Sequence, residues 1–163
     1  MLSDLKKSIS SQFLASIKML ENAIDMCPEN IWHNRNDFSD FWYIVYHSLF
    51  WVDFYLTESP DDYIPFNGIG LSELDYDGIL PDKVFEKQEL KSFLEHCRAK
   101  CKDKIKNLDE EKASQIYKFG NLEMTYLELL LYNLRHLQHH TGQLNLILRQ
   151  QIDSAPKWVR KTE

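Results

Sequence analysis

Three of the six histidines fall within five residues, and they are the side chains best suited to do chemistry. His136 and His140 are four positions apart in the run 135–140. Residues at that spacing lie on one face of an α-helix, one turn apart, so their imidazoles can hold one metal ion. His139 falls on the opposite side of the helical wheel, and we expect it to face solvent. A solvated, histidine-rich surface would show the same spacing.

A third histidine, His47, stands inside an apolar pattern. It follows Tyr43 by four residues and precedes Phe50 by three, which places it on the stripe directed at the core. Such a histidine can simply be hydrogen-bonded to a carbonyl or hydroxyl group. Alternatively, it joins His136 and His140 as a third ligand. Three neutral imidazoles leave a coordination position for water or substrate, as in catalytic zinc-type sites.

The remaining candidate ligands are cysteines, carboxylates and other histidines. Cys97 and Cys101 lie on the apolar line of a helix, and we expect buried thiols there. His33 and His96 are expected at the surface or at an interface. Four carboxylates could supply a fourth ligand, and the first two could instead orient a ligand histidine: Asp40, Asp53, Asp61 and Asp62. Solvated or capping charges are the alternative for Asp40 and Asp53.

Two other kinds of metal site are disfavoured by the residues around the histidines. A ferritin-like di-iron bundle needs Glu-x-x-His, but Asn133 and Ile44 stand three residues before His136 and His47. The zincin motif needs glutamate directly after its first histidine, and Leu137 occupies that position. The sequence therefore assigns no general base and no catalytic residue.

Four helical segments are expected to position these side chains. Apolar residues recur at three- and four-residue steps, which is typical of amphipathic helices. The segments cover about 5–24, 40–58, 90–108 and 125–151. Ser39 is the predicted N-cap of the second helix. Thr125 and Glu128 form a predicted capping box at the start of the fourth helix, and residues 116–123 are predicted to form a short extended or hairpin segment.

A long segment without helical periodicity, residues 59–85, separates the second and third helices. It contains three of the five prolines and three of the five glycines. Loops longer than about 12–15 residues are uncommon in compact domains and are often functional. Its apolar residues predict that it packs onto the body of the protein. Four helices with one long crossover loop favour an all-α four-helix bundle, as a single domain over residues 1–163.

Composition limits the classes of function. The chain carries 19 Lys+Arg against 25 Asp+Glu, a net charge of −6, and it has no basic block, which argues against a nucleic-acid partner. No stretch approaches the roughly 20 apolar residues of a membrane span. The N-terminal residues lack the apolar core of a signal peptide, and three cysteines cannot all pair internally. We therefore expect a cytoplasmic protein without a disulfide scaffold.

With a histidine in the second helix and His-x-x-x-His followed by Gly-Gln in the fourth, the sequence resembles the DinB-like superfamily of metalloenzymes. Relatives within that superfamily include YfiT-like proteins, bacillithiol S-transferases and mycothiol-dependent maleylpyruvate isomerases. The resemblance extends over nearly the whole chain. It includes Gly-Gln at 142–143, the long loop and the Pro-Lys-Trp-Val segment at 156–159.

The resemblance implies a divalent metal ion held by three ligands, His47, His136 and His140. Three imidazoles suit zinc, nickel, iron or copper, and we expect zinc or nickel ahead of iron. The resemblance favours a transferase in which a low-molecular-weight thiol such as bacillithiol attacks an electrophilic small molecule. The alternatives are a metal-dependent hydrolase and a non-catalytic metal-binding stress protein. A homodimer without a membrane or nucleic-acid partner is also expected.

Overall fold

A computed structural model describes residues 2–162, and most of them are helical. In that range the α-helices are α1 (Leu2–Met26), α2 (Glu29–Trp32), α3 (Phe41–Tyr55), α4 (Lys87–Lys106), α5 (Glu110–Ser114) and α6 (Tyr126–Ile152). A small antiparallel sheet joins β1 (Ile116–Phe119) to β2 (Leu122–Thr125). This architecture is compatible with the predicted all-α class, and the sheet lies where the hairpin was expected.

The second predicted helix is shorter than its apolar pattern indicates. α3 begins after Asp40 rather than after Ser39, and it ends at Tyr55. The Asp40 carboxylate accepts hydrogen bonds from the backbone N–H groups of Asn36 and Asp37. It therefore closes the preceding turn, and the prediction that Ser39 caps the helix is wrong.

The start of α6 confirms half of the predicted capping box. The hydroxyl of Thr125 accepts a hydrogen bond from the backbone N–H of Glu128 at 3.2 Å, which satisfies one of the free donors of the first turn. Periodicity did not reveal α2, α5 or the short 3₁₀ helices within 59–85, because none is long enough to repeat an apolar pattern. These 3₁₀ helices are Pro60–Asp62, Phe66–Gly68 and Leu71–Leu74.

Four long helices enclose the core. α1 and α3 each pack against both α4 and α6. In α3 every residue is buried except His47 and Trp51, because α4, α6 and the long loop together cover this helix. The partial exposure of His47 and Trp51 therefore marks where the covering of α3 is incomplete.

The direction of α4 explains the long loop. Cys97 Sγ donates a hydrogen bond to the carbonyl of Leu49, and Lys100 Nζ donates to the carbonyl of Asp53. Since later residues of α4 meet later residues of α3, the two helices run in the same direction. Residues 56–86 connect the end of α3 to the start of α4.

The three cysteines are buried thiols without disulfide bonds: Cys27, Cys97 and Cys101. Burial raises the pKa of Cys27 and of Cys101 to about 12, so neither forms the reactive thiolate near neutral pH. This confirms the expectation for the cysteines of α4. Across residues 2–162, no helix has both the length and the apolar character needed to cross a membrane.

Candidate metal centre

The structure brings together the three histidines that the sequence singled out. One donor nitrogen from each of His47, His136 and His140 lies within 4.8 Å of the others. The Nε2 atoms of His136 and His140 are 3.0 Å apart. The His47 ring centroid lies 4.7 Å from that of His140 and 5.3 Å from that of His136. The cluster therefore joins α3 to α6 at their packed interface.

The helical wheel of α6 explains which histidines converge. Leu137 and Thr141 point into the core and are fully buried, so His136 and His140 fall at the border of the buried face. His139 is exposed and lies outside the cluster, although its ring centroid is 5.1 Å from that of His140. The predicted division between an inner pair and an outer histidine is confirmed.

Hydrogen bonds at Nδ1 orient two of the three rings. His47 Nδ1 lies 2.7 Å from a Glu73 carboxylate oxygen, and His140 Nδ1 lies 2.7 Å from the side-chain oxygen of Gln143. Because those oxygens accept from Nδ1–H, Nε2 carries the lone pair that a metal requires. His136 Nδ1 is buried and has no hydrogen-bond partner among the described residues.

Burial keeps two of the histidines neutral. The pKa of His136 is lowered to about 3 and that of His140 to about 4. Burial is the largest cause of both shifts, and the neighbouring imidazoles contribute to each. Neutral imidazole is the form that coordinates metals. The two Nε2 atoms, 3.0 Å apart, can share only one proton, and a cation would take its place. The donor set therefore fits a divalent metal ion.

These pKa shifts predict that the metal-free protein becomes less stable as the pH falls. The ordinary pKa of both rings is 6.5, so the unfolded chain gains protons below that pH. The folded chain keeps both rings neutral until the pH approaches the lowered values. The free energy of unfolding should therefore drop by about 1.4 kcal/mol per pH unit for each proton.

Urea denaturation of metal-free protein between about pH 7.5 and 5.5 measures this loss. The double variant His136→Asn/His140→Asn lacks both titrating rings and should show a flatter profile. Equal pH slopes for the two proteins would mean that the rings are not buried in their neutral form.

Glu73 is the site residue that sequence reasoning missed. Its side chain is only 5% exposed. Besides bonding His47, it accepts hydrogen bonds from the Tyr43 hydroxyl at 2.6 Å and from Trp51 Nε1 at 3.1 Å. Glu73 belongs to the short 3₁₀ helix Leu71–Leu74, where no periodicity marks it. Its only signal was its place in a loop long enough to be functional.

A cleft of about 310 Å³ opens beside His47 and His140. Its other lining residues are aromatic, aliphatic or uncharged polar: Phe38, Ser39, Tyr43, Ile44 and Gln143. No carboxylate is among the described residues that line it. A smaller cleft of about 220 Å³ is lined in part by His136. An organic ligand in the larger cleft would meet apolar walls and two of the imidazoles.

The four carboxylates considered as a fourth ligand lie elsewhere. Asp40 closes the turn before α3, and Asp61 and Asp62 are exposed in the first 3₁₀ helix. Asp53 is fully buried between α3 and α4. Within residues 2–162, the metal-compatible group contains the three histidines and no carboxylate.

The last two histidines have separate roles. His33 is exposed between Glu29 and Glu86, as expected for a surface residue. His96 is not a plain surface residue, because its Nε2 lies 2.9 Å from the buried Asp53 carboxylate and its side chain is 35% exposed. It belongs to the contact between α3 and α4.

Comparison with known families agrees with this geometry. The DinB superfamily model matches residues 12–144, a range that contains all three clustered histidines and the long loop. No curated protein and no solved structure matches the chain. Since the match covers most of the 163 residues, the chain belongs to the DinB superfamily.

Proposed function

We propose that the protein binds a divalent metal ion through Nε2 of His47, His136 and His140 and acts as a transferase that uses a low-molecular-weight thiol such as bacillithiol. The convergence of three imidazoles from α3 and α6 carries this proposal. A site with three protein ligands keeps a coordination position open, which is typical of catalytic zinc-type centres. Zinc or nickel is the expected metal, ahead of iron.

When bound, such a cation lowers the pKa of a thiol at the open position, so that the thiol is present as a thiolate near neutral pH. Around it the chain positions the reactants. Glu73 and Gln143 hold the rings of His47 and His140 at Nδ1. Phe38 and the other walls of the 310 Å³ cleft would hold the apolar part of an electrophilic substrate beside the thiolate.

The surroundings of the site favour a thiol over water as the nucleophile. Many hydrolases place a general base within hydrogen-bond reach of the attacking water. Glu73 is the carboxylate bonded to a site histidine, and its oxygens already accept from His47, Tyr43 and Trp51. Glu73 also does not line the cleft. A thiolate attacks without a base, so this set of residues suits S-transfer.

The same proposal covers the fold, the cellular location and the oligomeric state of the protein. The packing of α1 and α3 against α4 and α6 supports a four-helix bundle with residues 56–86 as its crossover. Three buried free thiols support a reducing, cytoplasmic location. The family resemblance supports a single domain that forms a homodimer.

The experiment uses untagged protein loaded with cobalt(II), whose visible spectrum reports its ligands. Adding 2-mercaptoethanol or cysteine is expected to produce a sulfur-to-cobalt charge-transfer band, because a thiolate enters the open position. Ethylene glycol and serine are the matched controls without sulfur, and they should leave the spectrum unchanged. Stoichiometric cobalt with a spectrum that no thiol changes would contradict the transferase, and a failure to bind cobalt would contradict the metal site itself.

A further inference from the structure

Residues 70–73 of the long loop lie against one face of α3, and we call them the strap. The hydroxyl of Ser72 is hydrogen-bonded to that of Tyr46. The Glu73 carboxylate is hydrogen-bonded to Tyr43, His47 and Trp51. The contacted residues share one face of α3, because three- and four-residue steps connect 43 to 46 to 50 and 43 to 47 to 51: Tyr43, Tyr46, His47, Phe50 and Trp51. The strap therefore covers the helix face that carries His47.

Gly70 permits the close approach of the strap. Its φ is +107°, a conformation that residues with a side chain rarely adopt. A Cβ atom at this position would lie 2.3 Å from the ring of Phe50. Any other residue at this position would force the strap or the Phe50 ring to shift.

Glu73 ties the strap to the metal centre. Burial, and then the adjacent Glu73 carboxylate, raises the pKa of Tyr43, so the phenol stays protonated and donates to Glu73. With Tyr43 and Trp51 as donors on the same carboxylate, the hydrogen bond from His47 Nδ1 is held in a fixed direction. His47 Nε2 is thereby presented to His136 and His140.

We propose that Glu73 is a positioning residue and that docking of the strap and metal binding stabilise each other. This inference rests on the proposed metal site. A carboxylate on Nδ1 raises the basicity of a ligand histidine and fixes its orientation. Because coupling between two equilibria is reciprocal, a metal that holds His47 must also favour the docked strap. Tyr43 lines the cleft as well, so strap docking also sets one wall of the proposed substrate site.

The affinity for Zn²⁺ tests the first half of this coupling. In competition with a chelator, Glu73→Gln is expected to bind Zn²⁺ about 10–100-fold more weakly than the wild type, the usual effect of losing an outer partner. Glu95→Gln removes the same charge from an exposed position on α4 and should bind like the wild type. Gly70→Ala keeps every ligand and Glu73, yet it should also weaken binding because the strap cannot dock.

Hydrogen exchange of the backbone amides in residues 70–74 tests the second half. Zn²⁺ is expected to slow exchange there in the wild type, because the docked state gains stability, and to have no such effect in Glu73→Gln or Gly70→Ala. If the wild type binds one Zn²⁺ with unchanged exchange, and Glu73→Gln binds it equally well, the coupling is overturned while the metal site stands. If the wild type binds no Zn²⁺, the proposed function is overturned, and the coupling with it.

Discussion

His136→Ala is expected to purify without stoichiometric metal and to lose more than about 100-fold in affinity for Zn²⁺, which exceeds the usual effect of an outer partner. The physical reason is the geometry of α6. His136 Nε2 lies 3.0 Å from His140 Nε2, and the described residues offer no other donor in the cluster. Removing it leaves two imidazoles on different helices. Metal analysis of untagged protein and chelator competition measure the loss.

His139→Ala is the matched control for this variant. It removes an imidazole from the same helix, but the ring is exposed and lies outside the cluster. We expect wild-type metal content and affinity. Similar losses in both variants would show that the helical-wheel assignment is wrong. Retention of tightly bound metal by His136→Ala would show that the three histidines are not its ligands.

Asp53→Ala is expected to lose about 3 kcal/mol of unfolding free energy while keeping its metal. The Asp53 side chain is fully buried, and Oδ1 accepts from Lys100 Nζ at 2.7 Å and from His96 Nε2 at 2.9 Å. Removing one partner of a buried ion pair costs about 3–5 kcal/mol, because the remaining charge is uncompensated. We take the low end, since the Lys100 side chain is 19% exposed and can reach solvent.

Urea denaturation and metal analysis of the same samples separate the two roles of buried carboxylates. Asp53→Ala should lower the denaturation midpoint and leave the Zn²⁺ content unchanged, whereas Glu73→Gln should mainly weaken Zn²⁺ binding. Asp61→Ala, at an exposed acid, controls for the loss of charge and should change neither measurement. Loss of metal from folded Asp53→Ala would mean that Asp53 orients the site after all.

The sequence alone predicted the parts of the protein that repeat along the chain. Apolar spacing located the four long helices, and the four-residue spacing of His136 and His140 placed both on one face. The same spacing put His139 on the other side. These predictions work because the helical period relates sequence distance directly to direction around an axis. The apolar stripe made His47 a candidate for their partner, and the family resemblance, confirmed over residues 12–144, supported it.

Only the tertiary structure decided the contacts between residues that have no periodic relation in the sequence. His47 and Glu73 are 26 positions apart, and their contact exists because Gly70 lets a non-helical segment lie against Phe50 of α3. The role of Asp53 likewise depends on α4 running beside α3. No local pattern encodes such contacts, because they depend on how separate segments pack. The sequence thus indicated the three imidazoles, and the packing of the loop on α3 determined how one of them is held.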